Sequence, residues 1–508
     1  MVASSTPVIA GGVRVFLPAL LLLTLLSTIW ALATPIFASP DENAHAVKAI
    51  AEVRGEFLAH HRDGIRFPVF DLPDDYRYSP GIVCFAFNSR VSASCGVELG
   101  TPLGTNWFDD WVSSYNPLYY ALVGWPSLLF SGSAGIYAMR IISGLLSSAL
   151  LAGAFVAAWG ARRARWMGAG LAFLIAPMSL FLMGSVNPQS IEFSGAVLLT
   201  ISLLRLVEKH RDRASVSLGV PMLWVMAAAG ASLLAVARAT GPLWVLVIVV
   251  GVLLASGGRN SRLLFTRRTS IPGIAVIAAF GLFSLVWTLL TGTLSGQAEK
   301  ADEPLVGGSF LAGAWVMLRN TPSFVKSAVG IFGWQDTELA AVVYALCFGA
   351  LAILVTLAIF GTARRERWIV VGALVVAVLV PVIVQAASVA HTGIIWQGRY
   401  GLFLYLSVIM VAAWALSRSG DRIALLSAPV SSLITALMAV FGIATFVQVL
   451  RRYVVGTDDT INKMLVAPEW QPPLGWPTLT GLLVVVTILF AVWNARLTFR
   501  VARSEDAS

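Results

Sequence analysis

The stretch Ser39-Pro40-Asp41-Glu42-Asn43-Ala44-His45 sets two adjacent carboxylates and an imidazole directly behind an apolar run, Val15 to Leu32, that is long enough to cross a bilayer. Ser39 as N-cap and Pro40 at the first helical position predict a helix from about Asp41 to Leu58. Asp41 and His45 then share one face, with Glu42 turned about a quarter-turn away. Two readings fit. The acids complement the positive end of the helix dipole, or a carboxylate stands just outside the bilayer to bind or deprotonate something arriving from the lipid side. In the second reading His45 orients that carboxylate, acts as a second base, or helps hold a metal.

Three arginines lie against apolar helix ends: Arg140, Arg238 and Arg399. A charge there is costly unless it snorkels or finds a partner. A lipid phosphate suits the guanidinium fork; the alternative is ordinary snorkelling, or a salt bridge to Glu192 or a loop acid. Asn187-Pro188 reads as a turn and cap joining two helices, with Glu192 just inside the membrane. Cys84 and Cys95 share one polar loop, either as a disulfide stapling it or as two free thiols, while Cys347 falls in an apolar run. No zinc-type cluster is available, so no metal site is assigned and no cofactor is named, with a divalent metal at Glu42 left open. Walker A, dinucleotide and HExxH patterns are absent, which leaves ATP hydrolysis, NAD chemistry and a zincin site without support.

The elements that position these residues follow from composition. Of 508 residues, 57% are hydrophobic and 12% charged, with mean hydropathy +0.81. Soluble domains carry about 25% charged residues, so this is an all-α polytopic membrane protein. About twelve transmembrane helices are expected near 13–34, 134–159, 166–184, 189–207, 217–237, 241–256, 271–292, 339–361, 368–388, 400–417, 424–447 and 478–496. The short apolar segment 116–130 reads as interfacial, and a surface helix is expected over Phe310 to Asn320. The chain is then a single module over 1–508: first helix 13–34, large outward loop 35–133, helices two to seven in 134–292, outward loop 293–338, helices eight to eleven in 339–447, outward loop 448–477, and last helix with inner tail 478–508.

Charge supports that topology. With 116–130 not spanning, the clusters Arg162-Arg163-Arg165, Arg205 to Arg213, Arg259 to Arg268, Arg364-Arg365-Arg367, Arg418 with Arg422, and Arg496 to Arg503 all fall on the side of Arg14. The positive-inside rule makes that side cytoplasmic, with both termini. Most of the net charge of +9 is therefore a topology signal and no nucleic-acid footprint.

These blocks resemble the GT-C superfamily of polyprenyl-phosphate-sugar-dependent membrane glycosyltransferases, and more closely an uncharacterised bacterial membrane family with Pro-Asp-Glu-x-x-His after its first helix. The matching stretches are Pro40 to His45, Asn116-Pro117-Leu118-Tyr119-Tyr120, Gly184 to Pro188, Phe332-Gly333-Trp334-Gln335-Asp336-Thr337 and Gln397-Gly398-Arg399-Tyr400. The chain departs from that pattern at Gln189, where Asp is common, and at Gly401-Leu402-Phe403, where Pro often follows. The resemblance implies an inverting sugar transfer from a polyprenyl-phosphate donor to a cell-envelope acceptor, a glycan or a lipid, on the outer face of the bacterial inner membrane. Asp41 would be the base, with Glu42 and His45 beside it. Arg140, Arg238, Arg399, Tyr400, Asn187, Tyr119, Tyr120, Trp334 and Asp336 would bind substrate. A transporter or flippase of a lipid-linked or anionic solute, and a non-catalytic envelope-assembly subunit, are the competing classes. The former predicts midplane polar residues and internal symmetry; neither is apparent in the sequence.

Overall fold

A computed structural model describes residues 6–159, 161, 163–211, 218–257, 268–293 and 303–505. Arg162, Arg213, Arg259, Arg262, Arg267 and Glu299 lie outside them, and with them part of the basic clusters and of the second outward loop. The α-helices run α1 Thr6–Ala33, α2 Glu42–Glu52, α3 Pro117–Gly124, α4 Gly132–Trp159, α5 Ala164–Leu171, α6 Pro177–Met183, α7 Gln189–Arg211, α8 Val220–Ala237 and α9 Gly241–Ser256. They continue as α10 Ile271–Thr291, α11 Phe310–Gly330, α12 Ala341–Phe360, α13 Arg364–Thr392, α14 Leu402–Ser417, α15 Asp421–Leu425, α16 Ser427–Val455, α17 Ile461–Val466 and α18 Trp476–Glu505.

Among the described residues ten helices are long and apolar enough to cross a membrane. The other two expected spans take other forms. The segment 166–184 is a pair of helices bent by 59°, Ala164–Ile175 and Pro177–Met183. Ala176 stands before Pro177 with ψ 135°, because the proline ring pushes its predecessor out of the helical region and removes one ladder N–H. The segment 241–256 is helical but only sixteen residues long. The segment 116–130 is α3 followed by a 3-10 turn, Trp125–Leu128, and is too short to span. Pro117 opens α3, and the Asn116 side chain caps it by accepting from Leu118 N–H at 3.1 Å. The surface helix reaches further than expected, through Pro322 to Gly330.

The long loop between α1 and α4 carries α2, α3 and a two-stranded antiparallel ribbon, β1 Val69–Asp71 with β2 Trp107–Asp109, which pairs Phe70 with Phe108. A disulfide joins Cys84 to Cys95 with Cα atoms 6.1 Å apart. A second ribbon, β3 Ile331–Phe332 with β4 Thr337–Glu338, follows α11. Arg452 near the end of α16 binds this region to the long loop. Its guanidinium reaches Asp336 at 2.9 Å, Thr337 at 3.1 Å, and the carbonyls of Phe85 at 2.7 Å and Val91 at 3.1 Å.

α2 departs from the sequence expectation. It begins at Glu42 and ends at Glu52 rather than near Leu58; Ser39 does not cap it and Pro40 is not its first residue. Asp41 is the N-cap, in the left-handed region at φ 64°, ψ 1°. Asp and Asn tolerate that region better than most residues. The reversal sends the Asp41 and Glu42 carboxylates to different partners.

Glu42 goes inward. Both its oxygens take Arg140 of α4, from Nε at 2.7 Å and from Nη2 at 2.6 Å, and neither side chain is exposed. Arg140 also donates to the carbonyls of Ala31, Thr34 and Pro35 at 2.7–2.8 Å, and Glu42 accepts from the Val186 backbone N–H at 3.0 Å. One ion pair therefore closes off the end of α1, starts α2, and fixes the link between α6 and α7. Leaving half of a buried pair costs about 3–5 kcal/mol. Glu42→Gln should accordingly lower the thermal denaturation midpoint of the purified protein sharply, and a midpoint equal to wild type would remove this pair from its structural role.

Candidate functional site

A cavity of about 380 Å³ opens where the α1–α2 link, the α6–α7 link, the end of α8 and the segment before α14 meet. Asp41, His45, Trp111, Tyr115, Asn187, Gln189, Arg238, Glu303, Gln335, Trp396, Gln397 and Tyr400 line it, among others.

Each polar wall has a local cause. Asp41 turns its carboxylate to Arg399, whose Nη2 lies 2.5 Å from Asp41 Oδ2. Arg399 sits in the 3-10 turn Gly398–Gly401 that leads into α14. Burial alone would raise the Asp41 pKa, but the guanidiniums of Arg399 and Arg238 outweigh it and hold the carboxyl below its ordinary value. The group is ionised at neutral pH. His45 follows one turn on, its backbone N–H bonded to the Asp41 carbonyl at 3.0 Å. Burial lowers the imidazole pKa to about 3, with Asp41 opposing and the nearby cations reinforcing. The ring is therefore neutral at pH 7. Its Nδ1 lies 2.9 Å from the Tyr120 hydroxyl. Burial also pushes that phenol well above its usual range, so it keeps its proton. A phenol that donates to Nδ1 leaves the imidazole proton on Nε2, as a hydrogen-bond donor for the cavity.

Arg238 follows α8 in extended backbone and stacks on Tyr400, 4.4 Å from the ring centroid. It hydrogen-bonds the Tyr115 side chain and faces the charge of Glu192. Glu192, whose acid within the bilayer demanded a partner, also hydrogen-bonds Trp244. Asn187 caps its own turn, accepting from the Gln189 backbone N–H at 3.0 Å, and its Nδ2 reaches the Pro40 carbonyl at 3.4 Å. Several polar atoms at or beside the cavity have no protein partner among the described residues: both amide atoms of Gln189, which is 3% exposed, Oε1 of Gln397, Nε1 of Trp396, and Nε and Nη1 of Arg399. Buried polar groups in folded proteins are nearly always satisfied, by protein, water or ligand, and this clustering leaves the cavity rich in hydrogen-bonding capacity that the described residues do not use.

The segment 110–115 forms one wall and is held from behind by a second polar cluster. Asp110 accepts from Val112 N–H at 2.7 Å, and Lys48 of α2 donates to the Ser113 carbonyl at 2.8 Å with Glu52 at 3.4 Å. Burial raises the Asp110 pKa to about 8 and that of Glu52 to about 7, and lowers that of Lys48.

Of the residues singled out from the sequence, the fold brings Asp41, His45, Asn187, Arg238 and Tyr400 to the cavity wall, with Arg399 behind Asp41 and Tyr120 behind His45. It takes others elsewhere. Glu42 and Arg140 are consumed by each other, all the donors of Arg140 being used; they offer neither a second acid nor a phosphate clamp. Tyr119 is fully buried against Ser143 at 2.9 Å. Trp334 donates to the Phe37 carbonyl at 3.0 Å, and Asp336 belongs to the Arg452 brace. Among the described residues no group of three or more His, Cys, Asp or Glu is arranged to hold a metal ion. Sequence reasoning missed Gln189, Gln397, Trp396, Trp111 and Tyr115 as site residues. Gln189 carried a signal as a departure from the family pattern, and Gln397 stood in a matching stretch without being given a role.

The Asp110 shift has a direct consequence. An acid whose pKa rises on folding stabilises the fold while protonated. That contribution is complete below the unfolded value, 3.8, and drains away as pH rises through about 8. Asp110→Asn removes the titration, so its advantage in melting temperature over wild type should grow from about pH 4 to about pH 8 and then level off. A pH-independent difference would place the charge elsewhere.

The model of the family described as "Predicted membrane protein (DUF2142)" matches residues 23–410, and the chain belongs to that family. No curated protein matches it.

Proposed function

We propose that this DUF2142 member is an inverting glycosyltransferase of the GT-C type, which takes its sugar from a polyprenyl-phosphate donor at the outer face of a bacterial inner membrane. The observation that carries the reading is an ionised carboxylate, Asp41, set in a cavity that also presents Arg238 and amide atoms of Gln189 and Gln397 without a partner among the described residues, with Arg399 behind Asp41. The resemblance of the first outward loop and the Pro117-Leu118-Tyr119-Tyr120 helix to GT-C enzymes supports the same reading. The disulfide in the long loop and the basic residues at the other end of the bundle support an extracytoplasmic cavity and cytoplasmic termini.

The chemistry divides among the residues. The acceptor hydroxyl gives its proton to the Asp41 carboxylate as its oxygen bonds the anomeric carbon from the face opposite the phosphate. The bond from that carbon to the phosphate oxygen breaks, and its electron pair stays on the departing lipid phosphate. Arg238 and Arg399 take up that negative charge, so no general acid is needed. In the absence of an anion Arg399 is paired with Asp41, which keeps the carboxylate a weak base. A phosphate that draws Arg399 away raises the proton affinity of Asp41 when the donor is in place. His45 contributes a hydrogen bond from Nε2 to a substrate hydroxyl rather than a second base. The amide of Gln189 and Oε1 of Gln397, without partners among the described residues, suit sugar hydroxyls, and Trp111 and Trp396 offer apolar faces to a pyranose ring.

The test is transfer by purified protein from a panel of polyprenyl-phosphate sugars. Asp41→Asn should lose about 10²–10⁴-fold in turnover while lowering the melting temperature less than Glu42→Gln does, since it neutralises the partner of Arg399 at a carboxylate that is part-exposed. Arg238→Gln should mainly weaken donor binding. Wild-type turnover by Asp41→Asn would remove the base from this mechanism, and the absence of transfer by wild type across a panel with varied sugars and acceptors would remove the reading as a whole.

A further inference from the structure

A second cavity, about 700 Å³ and almost wholly apolar, lies at the opposite end of the same helices. Its walls are α7, α9, α13 and α14. The polarity of the helices fixes its position. Arg364 and Arg365 begin α13 and Ala255 lies in the last turn of α9, whereas Arg238 precedes the start of α9 and Tyr400 the start of α14. The groove therefore opens at the end of the bundle remote from Asp41.

Three features describe what fits there. First, the groove is made by missing side chains. A Cβ added at Gly251 or at Gly372 would meet nothing within 4 Å. Second, its interior asks for no hydrogen bond. Its two hydroxyls are satisfied internally, Thr200 donating to Ser407 at 3.1 Å and Ser407 to the Phe403 carbonyl at 2.7 Å. Third, its mouth is cationic and aromatic. Arg364 is exposed, and Arg365 is held in place by the last carbonyls of α9, Ala255 at 2.5 Å and Ser256 at 2.9 Å. Trp368, 62% exposed, stands one turn below, in the way tryptophans mark a membrane-water boundary.

A long apolar body with an anionic end matches all three. We propose that this groove binds one anionic glycerophospholipid from the leaflet at the Arg364 end, with an acyl chain along Gly251 and Gly372 and its phosphate at Arg364 and Arg365. The occupant enters sideways from the bilayer, because Leu254 at the groove's edge is 79% exposed. The inference is independent of what happens at Asp41. It adds a structural lipid that bridges α9 and α13, two helices whose far ends lead from Arg238 and towards Tyr400.

The experiment is native mass spectrometry of the full chain released from nanodiscs that contain phosphatidylglycerol and phosphatidylcholine with identical acyl chains. Wild type should keep one phosphatidylglycerol through delipidation in preference to phosphatidylcholine. Arg364→Gln should cut that retention about fivefold, the worth of one basic residue at an anionic surface. Gly251→Leu and Gly372→Leu should abolish retention by filling the groove, with no loss of melting temperature, since both add a good helix former in open space. Equal retention of the two lipids, retention untouched by both glycine substitutions, or displacement of phosphatidylglycerol by equimolar polyprenyl phosphate would each overturn the assignment.

Discussion

The fold around the cavity depends on a single buried ion pair. Glu42 and Arg140 are both fully enclosed, and their satisfied oxygens and N–H groups gather the end of α1, the start of α2, the first turns of α4, and the link before α7. A charge pair taken out of water stabilises a fold no better than apolar packing of the same volume. What it supplies is direction: a guanidinium fork donates to a carboxylate and three carbonyls in only one arrangement, so the end of α1, the start of α2 and α4 are held in register with each other.

That register decides what Asp41 can do. With Glu42 fixed inward, the preceding residue is forced to reverse, and the left-handed N-cap delivers its carboxylate towards Arg399 at the cavity. Two acids adjacent in sequence thus live in opposite environments, one a brace and one a ligand-facing charge. The same division recurs among the arginines. Arg140 and Arg452 have their donors taken by carbonyls and an acid, whereas Arg399 keeps two donors without a partner among the described residues. Local strain of this kind persists where the surroundings over-determine it, which is common at functional sites.

The sequence made the bundle legible because bilayer thickness sets the length of most apolar runs, so ten of the twelve expected segments return as helices long and apolar enough to span. It did not show the 59° break or the shortness of α9, since hydropathy measures apolarity and not the backbone effect of Pro177. The site was legible in part. Asp41, His45, Arg238 and Arg399 announced themselves as charges at a boundary. Nothing local distinguished Glu42 from Asp41, because Glu42's partner lies ninety-eight residues away. Nor could it show that both amide atoms of Gln189 and Oε1 of Gln397 lack a partner among the described residues. The predicted start of α2 failed for the same reason, since Ser39 and Pro40 make a sound cap signal and tertiary contacts at Glu42 overrode it; its far end stops at Glu52, short of Leu58, with Gly55 in positive φ just beyond.

The most direct test is cryo-EM density for a polyprenyl-phosphate sugar bound to the full chain. The account predicts a phosphate between Arg238 and Arg399, the Asp41–Arg399 pair opened, and the Glu42–Arg140 pair unchanged. A head group bound to Arg140 or Glu42, or outside the cavity altogether, would contradict it.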